Sequence, residues 1–88
     1  MRLQFKASFE RDLKGVKDKS LLKEVRQVIE EVEAAGTLNS ISHLRKLQAE
    51  GPCFRIRLGD YRMGLIVEGD LVTFVRFLHR KEIYRYFP

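Results

Sequence analysis

The 88-residue chain has a single cysteine, Cys53, and no apolar run approaching the roughly 20 residues that a membrane-spanning helix needs. A lone thiol makes no internal disulfide, so the fold must be held by packing, and the cysteine usage fits a cytoplasmic setting. Residues 1–9, MRLQFKASF, offer no apolar core of a secretory signal. Internal repeats and low-complexity tracts are absent, and nothing marks a second domain, so residues 1–88 read as one domain. His43, Cys53 and His79 lack ligand-like spacing, which argues against a metal site and leaves no cofactor to expect. A chain this short buries only about 60–65% of the surface its unfolded form exposes, so every apolar position matters.

Charge is what the sequence has in excess. Seventeen Lys and Arg stand against 12 Asp and Glu, a net +5, which favours a polyanionic partner, nucleic acid or an acidic protein. Residues 1–50 carry ten basic and eight acidic side chains, with Lys and Glu interleaved as on a solvated helix face. Residues 51–88 carry seven basic and four acidic side chains, and six of the seven are Arg. Guanidinium grips phosphate or carboxylate oxygens in pairs and keeps its proton near neutral pH. The second half therefore has the composition of a recognition surface.

The pattern along the chain predicts an α+β fold. Residues 2–6 alternate polar and apolar, the period of a half-buried strand. Ser8 is a candidate cap for a short helix bearing Phe9, Leu13 and Val16. Leu21, Leu22, Val25, Val28, Ile29 and Val32 form the stripe of a longer amphipathic helix, with Gly36 placed as its stop. The short link makes these two helices an antiparallel hairpin. Residues 37–50 show no clear period and read as a helical turn or loop. Runs at 53–58, 61–67 and 71–78 are strand-like, and the Gly59-Asp60 and Gly69-Asp70 links mark a three-stranded meander. The closing HRKEIYRYFP reads as a short helix or extended cap over one sheet face. The expected order is β-α-α-β-β-β, an antiparallel sheet with the helical hairpin on one face.

A two-residue loop at Gly59-Asp60 sets Arg57 opposite Arg62 and Arg55 opposite Gly64. Because side chains alternate, Arg55, Arg57 and Arg62 then share the face away from the apolar Phe54, Ile56, Leu58 and Met63. Like charges directly across a ladder cost up to about 1 kcal/mol, so this pair calls for a compensating anion or acidic neighbour. The same loop length at Gly69-Asp70 carries Thr73, Val75, Phe77 and His79 onto the arginine face. It assigns Arg76 to the opposite face as an ion-pairing residue. Gly64 would leave the arginine face shallow enough for a substrate.

The element order, the phrase CFRIRLGDYRMGLIVEGDLVTFV and the closing HRKEIYRYF resemble the RelE/ParE superfamily of small bacterial and archaeal toxins, on the RelE-type side. The resemblance spans essentially the whole chain. It implies a metal-independent endoribonuclease that cuts messenger RNA in the ribosomal A site and is silenced by a cognate antitoxin. Arg55 and Arg57 match two basic positions, usually Lys in the family, that bind phosphate and take part in proton transfer. Arg62 matches an Arg that stabilises the scissile phosphate, Arg80 or Lys81 the proton donor, and Tyr84 the Tyr that places the nucleotide. Since Arg is a poor base, either electrostatics assist the deprotonation or His79, the one neutral-range titrating group in the expected cluster, handles the proton. Tyr84 and Tyr86 can stack on RNA or close the core, and His43 reads as a loop or surface residue.

The implied partners are a small acidic antitoxin encoded adjacently, the ribosome and its messenger, and operator DNA reached through the antitoxin, with no membrane. Two alternatives share the fold: a ParE-like poison of DNA gyrase, and a catalytically silent antitoxin-binding module.

Overall fold

The computed structural model describes all 88 residues, in the order β1 (Arg2–Phe5), α1 (Ala7–Lys14), α2 (Lys19–Ala34), β2 (Leu44–Lys46), β3 (Cys53–Leu58), β4 (Tyr61–Glu68), β5 (Leu71–His79) and α3 (Ile83–Tyr86). Asp18 starts α2 by accepting from the backbone N–H groups of Ser20 and Leu21 at 2.9 and 3.2 Å. The apolar stripe of α2 lies on the sheet, with Val25 and Val32 fully buried. Met1 donates its ammonium to the carbonyls of Glu33 and Ala35, placing positive charge at the C-terminal end of that helix. No helix is long and apolar enough to cross a membrane.

Five strands form one sheet in the order β1-β5-β4-β3-β2. The expected meander is there, and Gly59 and Gly69 each take a φ near +60° at the first loop position, where a type II′ turn needs glycine. Two expectations about the sheet change. Its edge strand β1 runs parallel to β5, so the sheet is mixed rather than purely antiparallel. Residues 37–50 supply a 3-10 turn at Leu38–Ser40 and the short β2, which pairs with β3 through only three residues. Both helix-end assignments also shift. Ser8 does not cap α1: Lys6 holds that position, and the Ser8 hydroxyl donates to the Val75 carbonyl at 2.6 Å. α2 ends at Ala34, and Ala35 turns out into extended backbone before Gly36 is reached.

The largest correction lies in β5. Its register with β4 slips by one residue between Gly64 and Leu65, leaving Val75 as a bulge. Ile66 still faces Thr73, but Gly64 faces Arg76 and Arg62 faces Leu78. Arg76 and Leu78 therefore lie on the arginine face, while Phe77 enters the core against Phe9. The bulge coincides with the end of β1: Lys6 makes the last ladder bond, to the Phe74 carbonyl, and α1 covers the open edge of β5 from there. Asp12 on α1 accepts from the Phe77 backbone N–H at 2.9 Å and from Arg76 Nε and Nη2 at 2.8 and 3.1 Å. Those bonds hold the Arg76 guanidinium above its ordinary range. The ion-pairing role expected for Arg76 stands, although it lies on the other face.

Phe9, Ile56, Met63, Leu65, Val72, Phe74 and Phe77 anchor the core between the sheet and the helical hairpin. A second, smaller layer covers part of the opposite face. There α3 and Phe87 lie on β4 and β5, with Ile83 and Phe87 buried outside the main cluster. Gly64 is the seat of this cap: a Cβ built there would stand 2.6 Å from the Phe87 ring. The shallow place expected to admit substrate is thus occupied by the chain's own aromatic ring.

These contacts set the expected cost of two substitutions. Asp12→Ala removes the partner of a half-buried guanidinium and the acceptor of an edge N–H, and should cost about 2–4 kcal/mol in chemical denaturation; Asp12→Asn, which keeps an acceptor, should cost less. Gly64→Ala should cost about 1–3 kcal/mol by displacing Phe87. If that contact is the cause, adding Gly64→Ala to Phe87→Ala should have little further effect, whereas full additivity would refute it.

Candidate active site

The β3–β4 hairpin sets the site. Its pairing places Arg57 opposite Arg62 and Arg55 opposite Gly64, as the two-residue Gly59-Asp60 loop predicts, and Arg45 on β2 pairs with Arg55. Four arginines thus share one face of three adjacent strands. No carboxylate lies within 4.0 Å of Arg55, Arg57 or Arg62, so the acidic neighbours available in the sequence do not engage them.

Carbonyl oxygens take that place. Arg62 folds back on the hairpin, its Nη1 donating to the Gly59 and Tyr61 carbonyls at 2.8 and 2.9 Å. Arg55 donates from Nη1 to the His43 carbonyl at 2.7 Å, and Arg57 Nη2 lies 3.3 Å from His43 Nδ1. The cross-strand pair is separated because its two side chains turn to different neutral acceptors, one toward the β3–β4 turn and one toward the loop before β2.

Two adjoining recesses open on this face. One is lined by His43, Leu44, Arg45, Arg55 and Arg57. The other, about 500 Å³, is bordered by His43, Arg57, Asp60, Arg62 and Arg80. Arg80 is tied to the hairpin turn: its backbone N–H donates to the Asp60 carbonyl at 2.7 Å, and its Nε stands 4.0 Å from Asp60 Oδ1. Arg55, Arg57, Arg62 and Arg80 therefore come together as the sequence suggests. Lys81 lies just beyond, exposed and outside the lining of the recess. Tyr84 is 58% and Tyr86 52% exposed, so neither closes the core; Ile83 and Phe87 do. Tyr86 instead stacks on Arg76, with the guanidinium 5.3 Å from the ring centre.

His79 is not part of this cluster. The bulge at Val75 turns it to the helix side, where its ring meets Tyr61 edge-on at 5.6 Å and its Nδ1 accepts from the Lys81 backbone N–H at 3.1 Å. His43 is the histidine at the site, although its place in the sequence suggests only a loop or surface residue. Its one available signal is proximity to the arginine-rich segment, which means little without the path of residues 37–50. No three His, Cys, Asp or Glu side chains gather as a ligand set for a metal ion.

Known proteins share this fold. Residues 3–84 match the family described as ParE toxin of type II toxin-antitoxin system. The toxin RelE3 of Methanocaldococcus jannaschii is 39% identical over 89 residues, covering all of both chains. The RelE toxin in a RelB–RelE antitoxin–toxin complex from Methanococcus jannaschii superposes with a TM-score of 0.80 at 39% identity, over 97% of this chain and 99% of that one. The fold recurs in an archaeal RelE–RelB complex from Pyrococcus horikoshii, with a TM-score of 0.75 at 19% identity, over 93% and 97% of the two chains. The end-to-end sequence match and the five-stranded sheet lead to one assignment: the chain belongs to the RelE/ParE toxin family and is a RelE-type toxin of a type II toxin–antitoxin system.

Proposed function

We propose that the chain is an endoribonuclease that cleaves messenger RNA in the ribosomal A site and is silenced by a cognate antitoxin. One observation carries the reading: Arg57, Arg62 and Arg80 border a single open recess, and neither Arg57 nor Arg62 is neutralised by a carboxylate. Cleaving RNA through its own 2′-hydroxyl forms a bond from the 2′-oxygen to phosphorus, with the hydroxyl proton passing to water, and breaks the bond to the 5′-oxygen, which takes up a proton as it leaves. Negative charge builds on the phosphoryl oxygens as this happens. Cations fixed in advance stabilise that charge without reorganising, and this electrostatic stabilisation is the main way such a site lowers the barrier.

The arginines suit this part. Arg62 spends only Nη1 on the hairpin carbonyls, so Nε and Nη2 remain to meet a phosphate. A guanidinium donates hydrogen bonds and accepts none, so Arg55 and Arg57 suit binding and stabilising rather than abstracting a proton. Of the two basic residues matched to the proton donor, Arg80 borders the recess, whereas Lys81 stands outside it and would have to swing in. Tyr84 is exposed enough to stack on a base. The recess accommodates one phosphate and its neighbours, and a ribosome would present the strand to it in line.

A small acidic antitoxin fits the same surface. The two archaeal relatives are complexes of RelE with RelB, and a partner carrying Asp and Glu would supply the anions that the arginine face lacks. Operator DNA would then be reached through that partner.

Two experiments test the reading. Purified protein should cut messenger on programmed ribosomes, and Arg62→Ala should lower the rate by at least about tenfold with an unchanged far-UV spectrum; intact messenger with wild-type protein would sink it, and trapped DNA-cleavage complexes with gyrase would replace it. The antitoxin should abolish both cleavage and binding of a short RNA. A complex that still binds RNA with unchanged affinity would show that the arginine face stays open.

A further inference from the structure

His43 lies in the loop before β2 at φ +62°, in the left-handed region that few non-glycine residues enter. This backbone turn aims its carbonyl at β3, where it accepts from the Arg57 backbone N–H at 3.2 Å as well as from Arg55 Nη1 at 2.7 Å. The ring adds the contact of Nδ1 with Arg57 Nη2 at 3.3 Å. A guanidinium can only donate, so Nδ1 must accept, and the ring in this arrangement is neutral with its hydrogen on Nε2. A second proton on Nδ1 would abolish the bond and set two cations against each other. His43 and Arg57 are also the two residues that border both recesses.

The groups that border the two recesses with His43 are mostly cationic. They are Arg45 from β2, Arg55 and Arg57 from β3, Arg62 from β4, and Arg80 after β5. The nearby carboxylates are Asp60 in the hairpin turn and Glu31 of α2, which accepts from the neighbouring Ser42 backbone N–H at 2.7 Å.

Building on the ribonuclease reading, we propose that His43 is the positioning residue of the cluster: its carbonyl and neutral ring hold Arg55 and Arg57 for the phosphate, and protonating the ring frees Arg57 and shuts the site off in acid. The sign is fixed by geometry. The acceptor exists only while Nδ1 is bare, so activity is present above the transition and lost below it. Extra positive charge would not weaken attraction to RNA, so the loss falls on kcat rather than KM.

Two variants separate ring from backbone. Asparagine tolerates positive φ and offers Oδ1 as a non-titrating acceptor. His43→Asn should therefore stay within about threefold of wild-type kcat at pH 7.5 and lack the acid limb of the pH profile. Glycine keeps the φ and the carbonyl but has no ring, and His43→Gly should lose about tenfold in kcat with KM little changed. Equal losses in both variants, or an acid limb that persists in His43→Asn, would overturn the proposal. A readout independent of cleavage keeps it apart from the ribonuclease reading. The Arg57 side-chain nitrogen resonance should titrate together with the His43 ring in wild type and stay flat in His43→Asn. If that coupled titration occurs but messenger stays intact, the ribonuclease reading fails alone; if Arg57 ignores the ring, the positioning role fails whatever the activity.

Discussion

Two positive charges face each other across the β3–β4 ladder, and the rest of the site is arranged around keeping them there. The register that opposes Arg57 to Arg62 is imposed by the tight Gly59-Asp60 turn and by burial of Ile56 and Met63 on the other face. A slip of one residue would relieve the charges but turn the core outward. The repulsion is met by bending the side chains apart toward the dipoles of the hairpin and of the loop before β2. Gly59 supplies a carbonyl to Arg62, His43 supplies its ring to Arg57 and its carbonyl to Arg55, and both residues have positive φ. Arg76 behaves differently. It shares the face, yet Asp12 neutralises it and binds it to the edge of β5. One residue type therefore does two jobs, and the presence of a carboxylate decides which.

Much of this is legible in the sequence because it follows from local rules. Two-residue loops and period-two alternation determine the β3–β4 register and hence the common face of Arg55, Arg57 and Arg62. β5 breaks the same rule for a reason also written in its residues. Phe74 and Phe77 both enter the same core and lie three apart, which a regular strand cannot do on one face; one extra residue must be absorbed between them. Two phenylalanines at odd spacing are the available warning. A regular strand drawn through them puts His79 on the wrong face and takes Arg76 off the right one.

Other features depend on contacts that no local pattern encodes. β2 pairs through three residues with only Leu44 half-buried, too little to leave a period. The seat that Gly64 offers Phe87 joins residues 23 positions apart, and glycine in a strand signals close approach without saying of what. His43 reaches the arginines only because the loop from α2 returns to the far edge of the sheet. The resemblance to known toxins points to the face where the arginines gather and names those cations. It offers no role for His43, and the exposed Tyr84 stands apart from the recess rather than within it.

Holding arginines by carbonyl dipoles has a consequence for how the surface responds to dissolved ions. Mobile counter-ions weaken attraction between net charges over a Debye length of about 8 Å at physiological ionic strength. Contacts between a guanidinium and an adjacent carbonyl are short and directional, and are screened far less. Added salt would therefore weaken attraction toward a polyanion while leaving the geometry of the arginines largely in place. In this protein the strength of long-range capture and the shape of the short-range cradle are set by different physics, and either can change while the other is kept.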